Sequence, residues 1–350
     1  MNLCPARLEP IFSPRPWGAH SLAPFFPEKS NLTEPLGEAW LTGNDCVFAT
    51  GPYAGKKLVD AWREMPAEWK GTSERDHGSF PLLVKFLFVE DKLSVQVHPD
   101  DDYAARHEQA AGGRGKTEMW YAMRARGGAE VMVGLKAGVD QEKFRRAIAD
   151  GSAEDCLEHI PLHAGEAIFV PAGTAHTIGP GLVLCEIQEH SDITYRVYDY
   201  NRRDAKGQAR ALHVEKALEV MRFGKQIGGK IEPVRIERNS VTTTYFAACR
   251  YFVAEKWEFE KSVIQSARLG RFELLIFLEG SGEIHWGSEH SKYGPAQVWL
   301  IPAALSAYEL KPHSRSELLR TYVPDDLAGL EKHLASQGID KEQWSRLVHP

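Results

Sequence analysis

Short apolar runs, each ended by Gly, Pro or Asp, constrain this chain more than any other feature. "PLLVKFLFV" (81–89), "KLSVQVH" (92–98), "EMWYAMRA" (118–125), "AEVMVGL" (129–135), "EAIFVPA" (166–172), "LVLCEIQEH" (182–190) and "ITYRVYDY" (193–200) are rich in Val, Ile, Tyr and Phe. Residues of these types, in runs this short between turn formers, read as strands. Many such strands in succession predict an all-β sandwich or small barrel. Two segments depart from the pattern. Residues 140–160 carry helical spacing at Phe144, Ile148, Cys156 and Ile160, interrupted at Gly151. Residues 325–338 place Leu327, Leu330 and Leu334 on one helical face, as a helix packed on a sheet would.

A weak internal repeat divides the chain. "LHAGEAIFVPAGTAHTI" (162–178) resembles "KYGPAQVWLIPAALSAYEL" (292–310): a Gly, an apolar strand, then a Pro. Gly173 and His176 of the first copy align with Ala304 and Ala307 of the second. If the first copy holds a site, the second has lost it. "GKQIGGKIEP" (224–233) reads as a boundary. The expected organisation is an N-terminal unit over 1–235 and a C-terminal unit of similar design over 236–350.

Composition excludes several function classes. The formal net charge is -6, against the basic excess usual for nucleic-acid binding. A small anionic ligand held by a few local cations remains compatible with it. The five cysteines are scattered and form no CxxC pair, which fits reduced thiols in a cytosol better than disulfides or a thiolate zinc site. The Pro-rich start is unlike a signal peptide, and no run approaches the ~18 apolar residues of a membrane helix. The expected location is the cytoplasm.

The polar residues lie in a pattern. In a strand over 92–98, Leu93, Val95 and Val97 face one way and Ser94, Gln96 and His98 the other. Gln96 and His98 are an i, i+2 pair that could hold a metal, or simply a hydrogen-bonded pair on a half-exposed strand. Lys116 and Glu118 share a face in "GKTEMWY" (115–121), where a surface ion pair is the plain alternative. "GEAIFVPAGTAHTIGP" (165–180) reads G-x5-P-x-G-x2-H, a tight turn that sets His176 on the returning strand. This spacing resembles the second motif of the cupins, small β-barrels with an internal metal. In the usual first cupin motif Glu follows H-x-H within a few residues; here Glu118 stands 20 residues beyond His98.

A narrower family accounts for that delay. "PRPWG" (14–18), "GEAW" (37–40), "PLLVKF" (81–86), "LSVQVHPDD" (93–101), "GKTEMWY" (115–121), "VPAGTAHTIG" (170–179) and "EIQEHSDITYRVYDYNR" (186–202) together resemble the type I mannose-6-phosphate isomerases in their short form. The resemblance implies two cupin-type β-barrels with a few short helices, the N-terminal one catalytic and the C-terminal one without a metal. It implies one zinc per chain, held by Gln96, His98, Glu118 and His176. It implies interconversion of mannose 6-phosphate and fructose 6-phosphate through a cis-enediol(ate), with a hexose 6-phosphate as the partner and a monomer or small homo-oligomer as the assembly.

The same resemblance suggests roles for further residues. Arg196 would stabilise the oxyanion or grip a substrate oxygen, and Lys116 would serve phosphate or proton transfer. Glu186 and Asp192 are proton-shuttle candidates, and Ser94 could touch substrate. Lys85 interrupts an apolar strand, so it faces either the ligand or a sheet edge. An ion pair for Arg196 and a turn cap for Asp192 are the structural alternatives. His107, His159, His213, His285, His290 and His349 lie outside the motifs and read as surface or structural, while His190 stays ambiguous. The charged stretch 61–80 is expected to be partly helical and to lie over a barrel mouth or its rim. Two other functions compete: a non-catalytic sugar-phosphate sensor that kept the metal shell, and a metal-dependent cupin oxygenase.

Overall fold

The computed structural model describes residues 2–71, 78–203, 207–224, 228–266 and 270–349. It is mostly sheet with a few short helices. The strands form four sheets, and among the described residues none closes into a hydrogen-bonded barrel. The barrel expectation therefore holds only at the coarser level of a sheet-built fold. The sheets face each other in pairs instead, because each can bury an apolar face without closing on itself.

In the N-terminal half a seven-stranded sheet runs Gly229–Lys230, Ala167–Val170, Glu118–Ala125, Leu182–Glu189, Leu82–Val89, Leu36–Trp40, Ile11–Ala19. A five-stranded sheet faces it: Tyr195–Tyr198, Val95–Val97, His176–Ile178, Glu130–Leu135, Leu157–Pro161. Leu87, Trp120, Ile168 and Leu184 of the first meet Val131, Val133 and Ile178 of the second in one buried cluster. The Leu82–Val89 strand is buried along its whole length. Leu82, Val84, Phe86 and Phe88 face a core shared with Phe246, Phe272, Leu274 and Ile276 of the C-terminal half. Leu87 and Val89 face the interior between the two N-terminal sheets. A strand covered on both faces has to be apolar on both, hence the unbroken run. Lys85 is the exception on the inner face. It pairs with Glu186 on one side and Trp40 on the other, so it is on no sheet edge.

The C-terminal half repeats this order. Its large sheet runs Ala6–Glu9, Val298–Ile301, Glu273–Glu279, Ser316–Tyr322, Val253–Phe259, Val241–Cys249, Val234–Arg238, matching the seven strands above one for one. Val47–Phe48 extends one edge, so residues from the start of the chain complete this sheet. The facing sheet runs Val263–Ser266, Ala307–Pro312, Gly282–Trp286, Glu289–Tyr293 and matches the last four of the five-stranded order, without a counterpart of Tyr195–Tyr198 among the described residues. Register carries the match to single residues. Glu118 lies opposite Val170 and Glu273 opposite Ile301, each partner followed by a Pro. His176 lies opposite Gln96 and Ala307 opposite Ser266. Lys85 faces Glu186 across the ladder, and Glu255 faces Arg320. The second copy thus keeps one carboxylate as Glu273, loses the imidazole, and reverses the lysine–glutamate pair as glutamate–arginine.

The helical expectations divide. Leu327–Ser336 is a helix that buries Leu330 and Leu334. The 140–160 segment is helical only over Gln141–Asp150. Gly151 ends it with φ 76°, a left-handed cap that Gly adopts at low cost. Cys156 then closes a short 3-10 turn and Ile160 enters the Leu157–Pro161 strand, so the spacing past Gly151 was coincidental. The five cysteines are free and buried. Among the described residues no helix is long and apolar enough to cross a membrane.

Candidate metal centre and active site

Strands of two facing sheets bring four side chains to one place. Gln96 sits in Val95–Val97, His98 follows it, His176 opens its strand opposite Gln96, and Glu118 opens a strand of the facing sheet. One ligand atom from each of His98, Glu118 and His176 lies within 4.8 Å of the other two. Glu118 Oε1 is 3.3 Å from His176 Nε2 and 3.7 Å from His98 Nε2. The Gln96 amide is 3.2 Å from His176 Nε2, and a turn of that amide would offer its oxygen at the same place.

Both imidazoles are oriented from behind. His98 Nδ1 lies 2.7 Å from the Ile193 carbonyl and His176 Nδ1 2.9 Å from the Thr174 carbonyl. A carbonyl only accepts, so Nδ1 carries the proton and Nε2 keeps its lone pair for the site. Burial, with the Lys116 charge acting the same way, keeps His98 well below the usual imidazole value and His176 at about 4. Both rings are therefore neutral. Glu118 Oε1 is buried and has no hydrogen-bond partner among the described residues. A carboxylate oxygen so placed, facing two lone pairs, is costly unless a cation meets it. Two imidazole nitrogens, a carboxylate and an amide suit zinc or a similar divalent ion. The residues present fit that group.

A cavity of about 460 Å³ opens onto the cluster. Of the residues singled out from sequence, Ser94, Gln96, Lys85, Lys116, Glu186, Asp192 and Arg196 line it. Lys116 forms an ion pair with Glu118, lies 3.2 Å from His98 Nε2 and 3.8 Å from Glu186. Lys85 Nζ is 2.6 Å from Asp192 and 3.9 Å from Glu186, and stands 4.3 Å over the Trp40 ring. Burial opposes the Lys85 charge, but Asp192, Glu38 and Glu186 together hold its pKa above the usual value. Asp192 is lowered in turn: burial raises it, but Lys85, with Lys116 and Arg15, brings the net shift down. Glu186 goes the other way: burial and the Glu118 charge raise it in spite of Lys116 and Lys85.

Arg196 reaches the cavity from the Tyr195–Tyr198 strand. It donates Nε to Ser94 Oγ at 3.2 Å and Nη1 to the Ala211 carbonyl at 3.1 Å. Among the described residues no carboxylate forms an ion pair with it, which removes the simplest structural reading of this residue. Burial and the adjacent Arg210 lower its pKa, and a guanidinium so placed favours an anion.

Sequence reasoning missed part of the wall. Arg15, Glu38, Arg210 and His213 also line the cavity. Arg15 pairs with Glu38 at 2.7 Å, and Glu38 accepts from Trp40 Nε1. Both sit inside "PRPWG" and "GEAW", so a signal existed. Arg210 and His213 lie in a segment without a motif; His213 accepts the Arg196 amide at 3.3 Å rather than serving the surface. His190 is placed outside the cavity, hydrogen-bonded to the Leu82 carbonyl and edge-on to Phe80. In the 61–80 stretch, helices Leu58–Glu64 and Ala67–Lys70 bury Trp62 and Trp69 in the core between the halves. The Ala303 and Ala304 amides donate to the carbonyls of Trp69 and Glu68, so this part braces the C-terminal half and does not line the cavity. Residues 72–77 of that stretch, and 225–227 of the expected boundary, lie outside the described residues.

The chain is similar to known proteins over most of its length. The model of the phosphomannose isomerase type I catalytic domain matches residues 6–125. A mannose-6-phosphate isomerase of Streptococcus mutans is 36% identical over 281 residues, 79% of this chain and 86% of that one. The crystal structure of the Bacillus subtilis mannose 6-phosphate isomerase superposes with a TM-score of 0.82 at 31% identity, covering 91% of this chain and 99% of that one. A zinc-bound mannose 6-phosphate isomerase shares the fold at a TM-score of 0.69 and 16% identity, over 91% of this chain and 99% of that one. The chain belongs to the type I mannose-6-phosphate isomerase (phosphomannose isomerase) family.

Proposed function

We propose that this chain interconverts mannose 6-phosphate and fructose 6-phosphate, with Gln96, His98, Glu118 and His176 holding one zinc ion. The observation that carries the reading is the unpartnered Glu118 Oε1 facing two Nε2 lone pairs at the foot of a cationic cavity. Gln96, His98, Glu118 and His176 would hold a divalent ion, which would supply Lewis acidity to the reaction. The chain's own groups do the rest. Glu186, raised by burial, can take and return a proton near neutrality, and its oxygen is 3.8 Å from Lys116 Nζ. Asp192 is held low by Lys85 and is the weaker base; it serves to orient Lys85. Lys116 Nζ, between Glu118 and Glu186, is placed to stabilise a developing oxyanion. Arg196, held by Ser94 and without a carboxylate ion pair among the described residues, is assigned to the phosphate or a sugar oxygen. Removing metal with a chelator should abolish turnover in an assay coupled to fructose 6-phosphate, and zinc should restore it. Tight sugar-phosphate binding with no turnover in the zinc-loaded protein would sink the enzymatic reading.

The same reading assigns residues 1–235 to a catalytic cupin-type unit and 236–350 to a cupin-like unit without a metal. Repetition of the strand order, with Ala307 at the register of His176, supports the division, although residues 6–9 and 47–48 pair in the second unit's sheet. Five free buried thiols support a reducing cytoplasm. Arg196→Ala should raise KM for fructose 6-phosphate about 10- to 100-fold, the value of a charge-assisted contact of ~1.5–3 kcal/mol. Steady-state kinetics checks it; an unchanged KM would remove Arg196 from substrate binding.

A further inference from the structure

The segment that carries Lys116 and Glu118 is not held by the metal site alone. Three strand ends and a turn meet behind it. Gly115 N–H donates to Asp101 Oδ1 at 2.9 Å, and Thr117 N–H donates to Glu189 Oε1 at 2.7 Å. These are the backbone amides on either side of Lys116. The Lys116 amide itself donates to the Pro99 carbonyl at 3.0 Å, one residue past His98. Thr117 Oγ1 accepts from the Ala172 amide at 3.3 Å, and the Gly173 amide donates to the His98 carbonyl at 2.8 Å. The segments bearing His98, Glu118 and His176 are thus stitched together at one point. Contact there is close: a Cβ on Gly115 would stand 2.6 Å from the Asp101 nitrogen, well inside van der Waals distance.

The two carboxyl groups of this point also meet each other, Glu189 and Asp101 sharing a hydrogen bond. Two adjacent carboxyl groups can share a hydrogen bond only if one is protonated. Burial together with the Asp101 charge puts Glu189 well above its usual value, so Glu189 is the protonated partner. Asp101 Oδ2 then takes two donors from the other half of the molecule: Arg250 Nη2 at 2.9 Å and Tyr251 Oη at 3.0 Å. Arg250 and Tyr251 form the turn between the Val241–Cys249 and Val253–Phe259 strands of the C-terminal sheet. None of these four residues lines the catalytic cavity.

We propose that Asp101 and Glu189 are positioning residues that hold Lys116 and Glu118 in reach of the metal site, anchored by the Arg250–Tyr251 turn of the C-terminal half. The half without a site thereby braces the catalytic segment of the other. The inference rests on the isomerase reading for the groups it serves, and on geometry alone for the brace.

The test uses the full-length protein with three readouts: kcat and KM separately, zinc affinity by chelator competition, and amide hydrogen exchange across residues 115–118. Glu189→Ala should lower kcat about tenfold or more and weaken zinc binding about tenfold, the scale typical of groups that orient ligands, with KM nearly unchanged. Exchange at Thr117 should quicken by a similar factor. Glu189→Gln keeps an acceptor for Thr117 N–H and offers an N–H to Asp101, so it should recover most of the loss in kcat, zinc affinity and exchange together. Arg250→Met acts from the far side and should quicken exchange at Gly115 while lowering kcat about threefold or more. It also serves if Glu189→Ala does not fold. Wild-type kcat and unchanged exchange in Glu189→Ala and Arg250→Met would overturn the proposal. A wild-type protein without metal binding or turnover would remove the isomerase reading instead, and the exchange measurement would still decide the brace.

Discussion

His176→Ala is expected to strip both bound metal and turnover from the protein. His176 is fully buried, its Nδ1 is fixed by the Thr174 carbonyl, and its Nε2 is 3.3 Å from Glu118 Oε1. Removing the ring deletes one of two nitrogen donors, and nothing else on that strand face replaces it. Lewis-acid assistance supplies several kcal/mol of barrier lowering, and each 1.36 kcal/mol is tenfold in rate. The expected fall in kcat/KM is therefore about 10³-fold or more, with zinc content falling to background on metal analysis. His176 packs edge-on against Trp120 at 5.4 Å and pairs with Val133, so circular dichroism accompanies the metal analysis, and a folded variant without metal is the expected result. Full metal occupancy in the variant would refute the ligand assignment, whatever happened to the rate.

The second large effect is on stability and lies in the other half. Arg320→Ala should destabilise the protein by about 3–5 kcal/mol, because it strands two carboxylates in the interior. Arg320 is 4% exposed, and Glu255 and Glu273 are 1% and 3% exposed. The guanidinium donates Nε to Glu273 at 2.8 Å and Nη1 to Glu255 at 2.5 Å. It also lies 5.0 Å over the Trp257 ring and 4.9 Å over Tyr322. Glu255 has Trp257 Nε1 as a further donor, and Glu273 has the Tyr308 hydroxyl. Replacing all three charges together with apolar residues of similar volume should cost far less than the single change, because desolvation then falls away with the attraction. Denaturant unfolding of the single and triple variants checks both statements. A single-variant loss below about 1 kcal/mol would mean that water reaches the triad.

The register explains why this triad exists. Glu273 occupies the place of Glu118, and Arg320 the place of Glu186. In the N-terminal half the buried carboxylate faces two imidazole lone pairs and can be met by a metal. In the C-terminal half the imidazole position is Ala307, and the carboxylate is met by a fixed guanidinium instead. The two halves thus answer the same physical demand, a cation for an internal glutamate, in different ways.

Legibility in the sequence followed the range of the interaction. The period of two along "KLSVQVH" placed Gln96 and His98 on the opposite side from Val95 and Val97, and the structure keeps that division, but Leu93, ahead of the Val95–Val97 strand, turns to the cavity side instead. The repeat of 162–178 in 292–310 gave the correct register, because Gly, Pro and strand length are local signals. Where two residues belong to different sheets, local pattern was silent. Arg210 and His213 carry no periodic signal, yet they close the cavity wall beside Arg196. Helical spacing continued on paper through Cys156 and Ile160, while a left-handed glycine had already turned the chain.

By itself, the sequence determined that the chain is built from short strands, that Gln96 and His98 share a polar side, and which family it joins. Those properties come from alternation and turn chemistry within a few residues. Only the tertiary structure decided that Glu118 meets His98 and His176, that Lys85 points inward from mid-sheet, and that the Arg250–Tyr251 turn presses on Asp101. These depend on how sheets face one another and in what register, and no local pattern encodes a distance between two faces.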